Sequence, residues 1–195
     1  MILYGASGHA KVIIDILESN KNKIDYIVDD NPSINELLGY DVRRNETEYD
    51  EAIISIGDSD IRKQVVKNIK VKRYITAIHP SAIVSPRAIV GAGTVVMQGA
   101  VIQSCANIGK HCIINTCASV DHDCLLGDFV HVAPHATVLG GVTIGEGSWI
   151  GAGAVLKQYV TIGKNCTIGA GAVVLRDVPD GTTVIGVPAK EINFI

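Results

Sequence analysis

The chain has 195 residues, enough for two small domains or one larger one. Its formal charge is −3 with no basic run, which argues against nucleic acid or an anionic membrane surface as a partner. No apolar stretch approaches the roughly 20 residues of a membrane span, and no signal-type segment opens the chain, so a cytoplasmic protein is expected.

The first 77 residues read as alternating strands and helices. Ile2-Leu3-Tyr4 is a short apolar run that ends in Gly5-Ala6-Ser7-Gly8-His9, after which Val12, Ile13, Ile16 and Leu17 recur at helical spacing. A second apolar run, Tyr26-Ile27-Val28, ends in Asp29-Asp30, and a third, from Ala52 to Ile56, ends in Gly57-Asp58. Ser59 is the expected N-cap of a helix bearing Ile61, Val65, Val66 and Ile69. Such alternation predicts a small, Rossmann-like parallel α/β sheet over residues 1–77. The three turns then fall at the carboxyl ends of its strands, where open α/β sheets bind ligands. Gly5-Ala6-Ser7-Gly8 offers backbone N–H groups at a helix N-terminus, suited to phosphate. It is no dinucleotide fingerprint, since Ser7 stands where the second glycine would be. Asp29 and Asp30 suit the hydroxyls of a ribose or the donors of a base.

From Ile78 to Val174 every sixth residue is Ile, Val or Leu, seventeen in unbroken register. The fourth residue after each is small or β-branched, as in Ala100, Ala106, Cys112, Ala118 and Cys124. A fixed period of this kind means a solenoid whose coils bury one another's apolar faces. Six residues fit one short strand and one corner, and three such sides close a triangular coil. Sixteen hexads make slightly more than five coils, about 25 Å of prism at roughly 4.8 Å per stacked strand. No hexad is interrupted. Of the five cysteines, Cys112, Cys124 and Cys166 take the small inward position as buried thiols, while Cys105 and Cys117 lack metal-type spacing.

The repeat is most polar from Asn115 to Cys124, where Asp121, His122 and Asp123 occupy consecutive turn positions. Acyl transfer from a thioester needs a base near neutral pKa, which histidine supplies, and a neighbouring carboxylate steadies the imidazolium that forms.

The hexads resemble those of the hexapeptide-repeat acyltransferases, whose coils form a left-handed parallel β-helix; residues 78–195 are expected to build it. Taken with Gly5-Ala6-Ser7-Gly8-His9, Asp121-His122-Asp123 and the closing Gly186-Val187-Pro188-Ala189-Lys190, the chain resembles the nucleotide-linked amino-sugar N-acetyltransferases of PglD type, a group also labelled sialic acid O-acetyltransferases. The resemblance implies His122 as general base and Asp123 as the acid that raises its basicity, where relatives often carry Glu. It implies substrate contacts at Ser7, Gly8, His9, Asp29, Asp30, Gly57 and Asn115, and acetyl-CoA contacts at His131, Gly140, Ala152 and Ala170. It further implies a UDP-linked amino-sugar as acceptor, a homotrimer with the cofactor between prisms, no metal, and direct attack by the amine. Covalent catalysis through Cys117 is disfavoured because no base adjoins it. Acetylation of a sugar hydroxyl, a metal hydratase with zinc held by three histidines drawn from His111, His122, His131 and His135, and a non-enzymatic ligand-binding or scaffold protein are the competing readings. Thr143-Ile144, Ser148-Trp149 and Tyr159-Val160 are expected to point outward and pack on a neighbouring prism.

Overall fold

The computed structural model describes residues 1–44 and 47–192. The last three residues of the expected coil region, 193–195, lie outside the described ones. Its N-terminal part is a six-stranded sheet of order β3-β4-β2-β1-β5-β6. These strands are β1 (Ile2–Tyr4), β2 (Tyr26–Val28), β3 (Glu36–Leu37), β4 (Tyr40–Arg43), β5 (Glu48–Ile54) and β6 (Lys70–Tyr74), with α1 (Gly8–Ser19) and α2 (Ser59–Asn68) on its faces. Tyr4 at the end of β1 pairs in parallel with Val28 of β2 and with Ile54 of β5. The turns after these three strands therefore share one sheet edge, as the sequence required.

α1 buries Ala10, Ile13, Ile14, Ile16 and Leu17. They pack against Leu3, Ile27 and Ile53 of the sheet and against Ala77, Val95, Met97 and Ile113 of the coils. This helix is thus the wedge that joins sheet to prism, and Asn20 adds a hydrogen bond from its Nδ2 to the Ile78 carbonyl at 2.8 Å. Truncating Ile13 or Leu17 to alanine removes about 2–5 kcal/mol from both contacts at once.

Three features differ from the sequence expectation. The β3–β4 hairpin went unrecognised because Leu38 and Gly39 fill its turn with φ of 50° and 84°, a primed geometry that Asn-Gly usually signals. β6 was hidden by its charges: it is an edge strand whose Lys70, Lys72 and Arg73 pair across to Glu48, Asp50 and Glu51. The N-cap of α2 is Asp58 rather than Ser59; its carboxylate accepts from the Asp60 and Ile61 amides, a stronger acceptor for the helix dipole than a hydroxyl.

The first coil strand is Ala77–Ile78, and coils then stack in parallel on three sides of eight, six and five strands, the first side closing with an antiparallel strand, Lys190–Glu191. Five complete coils and part of a sixth result. From Ala77 to Val174 each coil strand is two residues long. Its second residue points inward, so Val96, Ile102, Ile108, Ile114 and their successors fill one core with Cys112, Ala118, Cys124 and the other small residues. The corners repeat too: their third residue takes the left-handed region, filled by glycine in some coils and by Cys105, His111, Cys117, Asp123, Phe129, His135, Tyr159 and Asn165 in others. That conformation costs a side-chain-bearing residue about 1–2 kcal/mol, offset here by coil stacking. No helix among the described residues is long and apolar enough to cross a membrane.

Candidate active site

The sheet edge forms first. Gly5 sits at φ 112°, and a Cβ there would lie 2.8 Å from Ile56 Cγ1, so the turn after β1 accepts glycine alone. Ser55 locks it, donating from Oγ to the Gly5 carbonyl at 2.6 Å. Asp29 reaches across from the next turn: one oxygen accepts the Ala6 amide at 2.6 Å and the other the Asn31 amide at 2.8 Å. Asp30 is exposed, with the Tyr4 hydroxyl donating to it at 3.5 Å. The two acids expected to act alike therefore differ: Asp29 ties two turns together, and Asp30 faces outward. Ser7 caps α1 in position, but its hydroxyl makes no capping bond, and no acid occupies the first turn. The Ser7 hydroxyl is left without a capping partner beside the exposed Gly8.

Below this edge, four expected residues meet. His131 lies on the first side of the prism, and its ring hydrogen-bonds to the Gly57 backbone. Asn115, at the adjoining corner, places Nδ2 3.1 Å from His131 Nε2. His9 completes the group, close enough that a proton on its ring would disfavour one on His131. Both rings are kept neutral. Burial, then the positive charge of Arg62, lowers His9 to about 4, and the same two causes lower His131 to about 3. His9 Nε2 is buried with no partner among the described residues.

The next corner of the same coil carries His122, the residue expected to act as base. His122 Nδ1 lies 2.8 Å from Asp123 Oδ2, and the ring is exposed. The bond to Asp123, then the charge of Asp121, raises the pKa of His122 above its usual 6.5. With Nδ1 held by Asp123, Nε2 is the nitrogen left to take a proton. The ring lies against Gly140 of the coil above, whose missing Cβ would sit 2.7 Å from Cε1 and Nε2. A depression of about 370 Å³ opens there, lined by Asp121, His122, Leu139, Gly140, Gln158 and Tyr159. The backbone N–H groups of Gly140, Ala152 and Ala170 donate to no partner among the described residues.

Within one chain the two groups stay apart. Asn115 and His122 stand at successive corners, separated by one side of the prism, roughly 15–20 Å of chain at strand rise. Ala152 and Ala170 lie, exposed, on the Asn115 corner in higher coils, and Gly140 lies on the His122 corner.

The PglD N-terminal domain family matches residues 1–69, and the bacterial transferase hexapeptide family (six repeats) matches residues 141–176. GDP-perosamine N-acetyltransferase of Escherichia coli O157:H7 is 37% identical over 147 residues, 72% of this chain and 66% of that protein. A crystal structure of a variant perosamine N-acetyltransferase from Caulobacter crescentus, in complex with CoA and GDP-perosamine, superposes with a TM-score of 0.92 at 36% identity, covering 99% of this chain and 96% of that one. The acetyltransferase domain of PglB from Neisseria gonorrhoeae, in complex with acetyl coenzyme A, superposes with a TM-score of 0.89 at 38% identity and 98% coverage of both chains. The chain belongs to the PglD-type sugar acetyltransferases.

In this PglD-type chain some contributors were not legible beforehand. Ser55 acts through backbone carbonyls that folding brings to it, and so, for all but one contact to the Ser59 hydroxyl, does Arg62. Of the residues expected to point outward, Ile144, Ser148 and Val160 are instead buried in the coil core, while Trp149 is exposed. It edges against His131 at 6.5 Å between ring centres, in a crevice of about 450 Å³ that also takes Gly57, Asp58 and Asp60. Tyr159 is the expected outward residue that is most exposed, at 75%. His111 is a packing residue, stacked on Phe129 and edge-on to Tyr74. Among the described residues no three of His, Cys, Asp or Glu converge as a metal site would need.

Proposed function

We propose that this protein transfers the acetyl group of acetyl-CoA to the amine of a nucleoside-diphosphate-linked 4-amino-sugar, with His122 as general base. The observation that carries the reading is the His122–Asp123 pair at 2.8 Å, aimed with a free Nε2 past the Gly140 backbone. The neutral amine attacks the thioester carbonyl, forming the C–N bond. Nε2 takes the amine proton, and Asp123 steadies the imidazolium. The Gly140 N–H, free of internal partners, stabilises the oxyanion. Collapse breaks the C–S bond, and CoA leaves as the thiol with a proton returned from His122.

The diphosphate rests on Ser7, Gly8 and the first turn of α1, the base and ribose on Asp30 and its neighbours, and the sugar reaches Gly57 and Asn115. GDP is placed ahead of the UDP expected from sequence, because the relatives matched along most of their length are named for GDP-perosamine. His131, Gly140, Ala152 and Ala170 line the path of acetyl-CoA.

The protein is read as a homotrimer, and the separation of corners within one chain supports that reading. Asn115 of one chain and His122 of the same chain cannot touch one amine, whereas a neighbouring prism can bring its own His122 corner to the Asn115 corner. The free sides of the prism also expose Ile83, Ile89 and Leu125, by 67%, 63% and 51%, an apolar load suited to burial between copies. Thermal shift with GDP- and UDP-amino-sugars, each with and without CoA, tests the ligands, since a ligand that binds only the native state raises the melting temperature. Sedimentation run beside the turnover assay tests the assembly: a fully active monomer refutes the shared site.

A further inference from the structure

α2 buries one side chain completely, and it is Arg62, 1% exposed, rather than any of the aliphatics that its sequence advertises. Its guanidinium is spent on carbonyl oxygens. Nε donates to His111 at 2.9 Å, one terminal nitrogen to Ile56 at 2.9 Å and Gly57 at 3.0 Å, and the other to Phe129 at 2.9 Å. Ile56 and Gly57 belong to the loop that enters α2; His111 and Phe129 belong to the coils. Among the described residues no carboxylate pairs with it. A buried charge without a counter-ion is costly, so a chain that needed only a staple between sheet and prism would do as well with an apolar side chain.

The Gly57 carbonyl links Arg62 to the site. It lies between the guanidinium and the ring of His131. The state of that ring is fixed from its far side. Asn115 Oδ1 accepts the Thr116 amide at 2.8 Å, which sets the orientation of the carboxamide, so the group facing His131 Nε2 at 3.1 Å is the NH2. An NH2 only donates. Nε2 must therefore hold a lone pair, and the ring proton sits on Nδ1, where it donates to Gly57.

We infer that Arg62 is a positioning residue of the acceptor site: it holds the Gly57 carbonyl, Gly57 selects the neutral Nδ1–H tautomer of His131, and His131 locks the Asn115 carboxamide. The inference rests on reading Asn115 as a contact to the sugar. One Nδ2 hydrogen and one Oδ1 lone pair of Asn115 remain for the substrate, both in a fixed direction. The depressed pKa of His131, about 3, keeps this arrangement intact through the pH range of acetyl transfer. A charge suits the task where an apolar residue would not, because only a multi-donor cation holds a glycine carbonyl in place while leaving it a lone pair for His131.

Two measurements test this. Long-range ¹H–¹⁵N spectra of the ligand-free wild-type protein, labelled at histidine, should show His131 protonated at Nδ1, bare at Nε2, and unchanged from pH 8 to pH 5. An Nε2–H tautomer, or titration near pH 6.5, overturns the inference. Arg62→Lys keeps the charge but offers its donors from one point, too few and too close together for four carbonyls. It should mix the His131 tautomers and raise the KM for sugar nucleotide at least tenfold, while the acidic limb set by His122 stays in place. Wild-type tautomer and wild-type kcat/KM beside a lowered Tm would make Arg62 a structural staple and sink the proposal. The tautomer is read without substrate, so it stands or falls apart from the acetylation reaction.

Discussion

Gly140→Ala is the most specific perturbation that the geometry offers. The added Cβ would lie 2.7 Å from His122 Cε1 and Nε2, against an ordinary carbon contact of about 3.5–4.0 Å. The φ of Gly140 lies outside the left-handed region, so alanine strains no backbone, and the atoms in the way belong to an exposed ring that can swing aside. The imidazole tip must retreat by about 1 Å. A misplacement of that size costs roughly 10²-fold in rate when the group is the base. Stability should hardly move, since surface changes of this kind stay within about 0.5 kcal/mol, or 1–2 °C in a chain this long. Gly127→Ala is the matched control at another corner. Its Cβ would meet the Glu146 amide nitrogen at 2.7 Å, and backbone cannot swing away, so Tm should fall by several degrees. Steady-state kinetics and thermal melts on both variants read the outcome. A Gly140→Ala enzyme that keeps more than about a third of wild-type kcat would remove His122 from proton transfer, or the ring from its place over Gly140.

Asp123→Asn should shift the acidic limb of the pH–rate profile downward. The Asp123 bond is the leading cause of the raised His122 pKa, and the base works only when neutral; an unmoved limb would contradict that role. Asp30→Ala should raise the KM for sugar nucleotide with Tm unchanged, whereas Asp29→Ala should lower Tm as well, because the Ala6 and Asn31 amides lose their acceptor. Melting at fixed ligand across pH should show stability falling below about pH 6.5. His9, His111 and His131 have folded pKa values of about 4, 4 and 3, so between those values and 6.5 the unfolded chain binds more protons. At pH 5, His9 and His131 should each contribute about 1–2 kcal/mol to that loss; a flat profile from pH 7 to 5 would show that these rings are not buried neutral.

The coil was legible because its rule is strictly periodic: an aliphatic every six residues can serve only a core that repeats at that interval. The same arithmetic separates Asn115 from His122, since six residues carry the chain from one corner to the next and these two lie seven apart. Asp121-His122-Asp123 stood out by breaking a pattern that tolerates few charges. Less regular roles left no comparable trace. The apolar stripe of α2 does pack, with Val65, Val66 and Ile69 joined to one core cluster, but the one side chain buried within the helix is Arg62, whose carbonyl partners come from three places in sequence. Asp29 and Asp30 are chemically alike, and only the approach of the Ala6 amide separates them. Trp149 occupies an outward hexad position, but the side it faces is the one that the N-terminal sheet covers, a fact that periodicity does not contain.

The most direct test is acetyl transfer itself. Purified protein is incubated with acetyl-CoA and, separately, a GDP-linked and a UDP-linked 4-amino-sugar, and the product is read by mass spectrometry and by NMR at the amine-bearing carbon. The account predicts an N-acetylated sugar nucleotide with stoichiometric CoA release, and a loss of roughly 10²–10⁴-fold in kcat for His122→Ala. Acetyl appearing on a hydroxyl, no transfer to either amino-sugar, or a His122→Ala enzyme as fast as wild type would contradict it.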